Sequence, residues 1–206
     1  MRPVLFFFLL SLPAAFPQAA HQHHPPRSAE EYARVLNDPK RDAWQLPDAV
    51  IKALDLKRDE VIADIGAGSG YFAKRFTQHA AKVYAVDIDE KLLAMVREGA
   101  PPNLETVLAA PDDPRLPDGS VDTIFFCNVL HHVENRQPYY AKLARALKPG
   151  GRIVIVEFHK KPLPVGPPES MKLSPEQVIN EFSEAGFRHD SSQDFLPYQY
   201  LLVFRR

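Results

Sequence analysis

The run Val61-Ile62-Ala63-Asp64-Ile65 is apolar and β-branched, and it ends against Gly66, Gly68 and Gly70. That order predicts a strand, a tight glycine turn and the start of a helix. Glycine accepts positive φ, and without a Cβ it lets a ligand approach the backbone closely. A helix amino terminus behind such a turn offers N–H groups and partial positive charge to an anionic group. The glycine spacing narrows the choice of ligand. A dinucleotide fingerprint places its third glycine three residues after the second, and here Tyr71 stands at that place. The glycines alternate instead, and an acid, Asp64, stands two residues before the first. Taken alone, the stretch fits a glycine turn of any α/β domain, so the rest of the chain must decide.

Beyond it, strands and helices alternate, which predicts helices on both faces of a mostly parallel sheet. A helix over 71–79 is followed by a strand, 82–89, that ends in acids. Asp87 lies at close to the spacing from which an acid of such a fold reaches ribose hydroxyls, and Asp89 fits the N-cap of a helix over 90–98. A strand over 103–108 leads to Ala109-Ala110-Pro111-Asp112-Asp113-Pro114-Arg115-Leu116-Pro117. After the turn Pro117-Asp118-Gly119-Ser120, the run 121–128 is apolar enough for a central strand. At its carboxyl end, where open α/β sheets bind ligands, stand Asn128, His131 and His132. A helix over 137–147, the turn Lys148-Pro149-Gly150-Gly151-Arg152 and a strand over 153–157 bring Glu157 and His159 to the same end of the sheet. Ser174-Pro175-Glu176-Gln177 carries the marks of a helix start, and strands over 187–191 and 199–204 close the chain. The proline- and glycine-rich segment 160–172 reads as a long, functional loop.

Asp64-x-Gly66-x-Gly68-x-Gly70 resembles motif I of the class I S-adenosylmethionine-dependent methyltransferases. The Leu130-His131-His132-Val133 run and the Lys-Pro-Gly-Gly turn at 148–151 resemble their small-molecule, UbiE-like type 11 branch. The resemblance covers 46–206. It implies an α/β, Rossmann-like, doubly wound seven-stranded mixed sheet, with the last two strands pairing antiparallel. It also implies S-adenosyl-L-methionine as cofactor, no metal, and a small-molecule methyl acceptor. Asp64, Gly66, Ala67, Gly68, Gly70 and Asn128 would surround the methionine end. Asp87 would hold the ribose, Ile88 would pack on the adenine, and Asp112, or Asp113 one residue on, would accept from the adenine amino group. His132, ahead of His131, together with Glu157 and His159, would face the acceptor, where a base is needed only if the acceptor loses a proton. Residues 21–45 would form a linker and a lid helix over 28–36, with Arg41, Trp44 and Gln45 lining the pocket, and 160–172 would form its second wall.

The chain begins with one basic residue, an apolar run over 4–12 and a small-residue exit near Ala19 and Ala20. Residues 1–20 read as a signal peptide, too short to span a bilayer, which predicts an exported or periplasmic protein. An uncleaved, membrane-anchored form is the alternative. His21, His23 and His24 belong to a proline-rich linker. With 25 basic against 26 acidic residues and no basic block, general nucleic-acid binding is disfavoured. The single cysteine, Cys127, excludes an internal disulfide and reads as a buried small hydrophobe. Two rival functions are a dinucleotide-dependent oxidoreductase and an exported cofactor-binding domain without turnover.

Overall fold

The computed structural model describes residues 28–206. The leader-like run and the three linker histidines lie outside the described residues. The strands are β1 (Val61–Ile65), β2 (Lys82–Asp87), β3 (Leu104–Leu108), β4 (Val121–Cys127), β5 (Leu147–Phe158), β6 (Arg188–Gln193) and β7 (Gln199–Arg205). They form one seven-stranded sheet in the order β3-β2-β1-β4-β5-β7-β6. The first five are parallel, and β7 runs antiparallel to both β5 and β6. The helices are α1 (Ala29–Leu36), α2 (Asp42–Gln45), α3 (Pro47–Leu54), α4 (Ala73–Phe76), α5 (Glu90–Arg97), α6 (Arg136–Ala146) and α7 (Pro175–Glu184).

The central strands are apolar on both faces because both faces are covered. On one, Tyr140, Leu143 and Phe182 of α6 and α7 pack on Ile124, Phe126, Ile153, Ile155 and Phe204. On the other, Val50, Leu54, Phe72 and Phe76 of α3 and the α4 segment pack on Ile62, Val83, Phe125, Val154 and Val156. At the amino ends of the strands, charged groups are spent on structure. Asp122 accepts from the Val61 N–H at 2.7 Å and pairs with Lys148 at 2.7 Å, and Glu60 pairs with Arg152 at 2.9 Å. The carboxyl ends are left for chemistry. Among the described residues no helix is long and apolar enough to cross a membrane.

Local signals explain most boundaries. Ser28 and Glu31 form the capping box of α1, Asp89 caps α5, and Ser174 caps α7 with proline in its first turn. Three expectations change. The helix expected over 71–79 shrinks to the four residues of α4, flanked by turns. Strand β2 stops at Asp87, because the Asp87 carboxylate accepts from the Asp89 N–H at 2.9 Å and turns the chain. The turn expected over 148–152 belongs to β5, since Leu147 already pairs with Val121 before a register shift takes up the intervening residues.

Candidate active site

The parallel sheet brings the glycine loop, Asp87 and Asn128 to the carboxyl ends of β1, β2 and β4. The loop spends its N–H groups internally. Those of Gly66 and Ala67 both donate to the Val86 carbonyl, at 2.8 and 3.0 Å, and that of Gly70 to the Ala67 carbonyl at 2.9 Å. The Gly68 N–H donates to Asp87 Oδ2 at 2.7 Å. A pyrophosphate cradle needs such N–H groups converging on the ligand with a substantial helix behind them; here they are committed, and α4 has only four residues. The glycines serve close packing. A Cβ on Gly66 (φ +70°) would lie 2.3 Å from Val129 Cγ2, and one on Gly68 (φ +55°) 2.6 Å from Leu36 Cδ1.

Asp64 is 3% exposed. Burial pushes its carboxyl up to about 8; a hydrogen bond from the Ala73 N–H and the charge of Arg41 oppose the rise, and the nearby Asp87 adds to it. A buried acid in this state is a receptor for a cation, since a positive partner is what restores the carboxylate. Asp87, raised by burial in the same direction, accepts from Gly68 and Asp89 and keeps acceptor sites for hydroxyls, because a carboxylate offers about four lone pairs. Next to it Ile88 is left 61% exposed, an apolar surface at the rim. Asp112 and Asp113 are both drawn to Lys142 of α6, at 3.5 and 3.3 Å. Asp113 also accepts from the Arg115 N–H at 2.8 Å, so it closes its own turn, while the Asp112 side chain is 79% exposed.

Asn128 adopts left-handed backbone (φ +59°), a conformation asparagine tolerates and functional sites often hold. Its amide joins two buried glutamines. Asn128 Nδ2 donates to Gln45 Oε1 at 3.1 Å, Gln199 Nε2 donates to Asn128 Oδ1 at 2.6 Å, and Gln45 Nε2 donates to Gln199 Oε1 at 3.0 Å. This ties the amino-terminal segment across the cleft. The same segment lays Leu36 on Gly68, takes a bond from Ser69 Oγ to Asn37 Oδ1 at 2.9 Å, joins Asp42 to the Tyr71 hydroxyl and sets the Trp44 ring tilted against that of Phe158, with 5.7 Å between centroids. Sequence reasoning named Arg41, Trp44 and Gln45, but not Leu36, Asp42 or Gln199. Gln199 begins the last strand and carries no local mark of a cleft residue.

His131 and His132 lie in a 3₁₀ turn, Leu130–His132. His131 Nδ1 is 3.0 Å from each oxygen of Glu157, and the two side chains are 3% and 1% exposed. The His131 N–H also donates to Glu157 at 3.3 Å. Glu157 thus orients His131, and the ring of His132, the histidine the sequence placed first, lies 4.1 Å from that of His131. His159 pairs instead with exposed Asp194 at 3.0 Å. Burial pushes the Cys127 thiol up to about 12, which keeps it protonated and unreactive at neutral pH.

Residues 63–155 match the family model described as a methyltransferase domain. A Sulfolobus solfataricus structure assigned to methyltransferase type 11 is 32% identical, with a TM-score of 0.63, covering 71% of this chain and 83% of that one. The chain belongs to the class I S-adenosylmethionine-dependent methyltransferases, type 11 branch. Members of that family use S-adenosyl-L-methionine as cofactor and transfer its methyl group. A SAM-dependent methyltransferase from Aquifex aeolicus shares the fold of this methyltransferase at 24% identity, with a TM-score of 0.80 over 87% of this chain and 98% of that one. The demethylmenaquinone methyltransferase of Tropheryma whipplei is 35% identical over 137 residues, 64% of this chain. The methyltransferase spans 56% of that relative's length. The residues present fit the cofactor: an acid poised for an ammonium, an acid with spare acceptor sites for a ribose, and an exposed isoleucine for an apolar ring face.

Proposed function

We propose that this methyltransferase acts on a small aromatic acceptor of the quinol type, which gives up a proton as it gains the methyl group. The observation that carries this reading is the buried pairing of His131 with both oxygens of Glu157. A carboxylate can only accept, so the proton between them sits on Nδ1 and leaves Nε2 as the basic atom of the ring. Glu157 fixes that tautomer and stabilises the imidazolium that forms when His131 takes a proton. When bound, the cofactor supplies a methyl group on an already electrophilic sulfonium, so what remains for the chain is alignment and proton removal. Trp44, packed against the buried ring of Phe158, offers aromatic surface beside this end of the sheet, and the names of relatives, demethylmenaquinone and ubiquinone/menaquinone C-methyltransferases, support a hydroxylated ring as acceptor. The test is release of S-adenosylhomocysteine with a panel of hydroquinones and phenols. Glu157→Gln and His131→Asn should slow turnover by about 10²- to 10⁴-fold, the usual worth of a positioned base, while leaving cofactor affinity in place. Undiminished turnover in both variants refutes the assignment.

A further inference from the structure

We propose that Arg41 recognises the α-carboxylate of the cofactor's methionine, so that Arg41 and Asp64 together read the ligand as a zwitterionic amino acid. This rests on the cofactor assignment above. Arg41 ends the 3₁₀ turn Pro39–Arg41, which Asp38 caps, and its guanidinium lies over the Tyr71 ring, 3.9 Å from the centroid. Nη1 donates to the Leu36 carbonyl at 3.1 Å, and Nη2 donates to Gln45 Oε1 at 3.3 Å. Nε is buried and has no hydrogen-bond partner, the one buried side-chain polar atom in that state among the described residues. Buried N–H groups are nearly always paired, and an orphan on a guanidinium is half of the fork, Nε with Nη2, that grips a carboxylate through two bonds.

The charges around it point the same way. Its hydrogen-bond acceptors are a carbonyl and an amide oxygen, it lies over an aromatic face, and beside it stands only the protonated Cys127 thiol, which carries no charge to compensate it. The adjacent acid, Asp42, is taken by Arg75 and the Tyr71 hydroxyl. Arg41 and Asp64 feel each other's field without forming an ion pair. A cation and a buried acid within reach of each other's charge, but not in contact, leave room for a ligand of both signs. Gln45 Oε1 receives Arg41 and Asn128 together, so the same amide network that anchors the lid holds the guanidinium at the methionine end.

The test is calorimetric titration with S-adenosylhomocysteine and with its decarboxylated analogue, 5′-(3-aminopropyl)thioadenosine, which keeps the ammonium and loses the carboxylate. The wild-type protein should prefer S-adenosylhomocysteine by about 10- to 100-fold, the range for a hydrogen bond to a charged group. Arg41→Ala should remove that preference and leave affinity for the analogue within about threefold. Arg41→Lys, which keeps the charge without the fork, should restore part of the preference, and it carries the test if the alanine variant does not fold. Equal weakening of both ligands would show that Arg41 only supports the lid, and would overturn the proposal while leaving the cofactor in place. A folded wild-type protein that binds neither ligand would overturn the cofactor assignment and the proposal together.

Discussion

The buried acid of the glycine loop gives the sharpest prediction. In the free protein Asp64 holds its proton up to about 8, against an ordinary value near 4. Between those limits the native state binds a proton that the unfolded chain has released, so stability falls as pH rises through the window. At about 1.4 kcal/mol per pH unit, moving from pH 5.5 to 7.5 should cost the wild-type protein about 3 kcal/mol relative to Asp64→Asn, which has no proton to lose. With a urea m-value of about 2–3 kcal/mol/M, that is a difference of about 1 M in the unfolding midpoint. Urea titrations of both proteins at several pH values read it directly. Saturating S-adenosylhomocysteine should flatten the wild-type slope, because its ammonium restores the carboxylate. Its binding at pH 7 should release close to one proton, measured from the dependence of the calorimetric enthalpy on buffer ionisation. Midpoints that move in parallel for the two proteins would refute the reasoning, whatever the affinity for the cofactor.

Two further substitutions probe the cleft. Asp87→Ala should weaken S-adenosylhomocysteine binding by about 1.5–3 kcal/mol, and it should also loosen the loop, because the Gly68 and Asp89 N–H groups lose their acceptor; calorimetry and amide hydrogen exchange of Gly68 check the two effects separately. Gly66→Ala places a Cβ 2.3 Å from Val129 at a φ of +70°, and should destabilise the fold by about 1–3 kcal/mol, read as a drop in the thermal midpoint; an unshifted midpoint would mean that the loop yields without strain.

The order of elements was legible because it rests on local chemistry. Period, caps and turn residues placed six of the seven strands and the capped helices α1, α5 and α7 within a few residues; β5 begins at Leu147, well before the strand expected from 153. The α4 segment was misjudged for a tertiary reason: its chain packs Phe72 and Phe76 against Phe125, which rewards ring placement over helical length. Residue types at the carboxyl ends of the strands, Asp64, Asp87, Asn128 and Glu157, could also be named from sequence, because strand ends follow from periodicity and the sheet is parallel.

Which of those groups meet was decided only by the folded chain. Nothing in the adjacent His131 and His132 says which ring a carboxylate from β5 will reach; the 3₁₀ turn after β4 sets it. Nothing near Arg41 says that its Nε will be buried without a partner, since that state arises from Tyr71, Leu36 and Gln45 closing around it. The glycine spacing predicted a close approach, and the fold showed that it is Val129 and Leu36 that approach. Sequence determines local conformation through short-range sterics and hydrogen bonds. Pairings between residues far apart in the chain depend on how the sheet order and the packing of the amino-terminal segment bring their elements together.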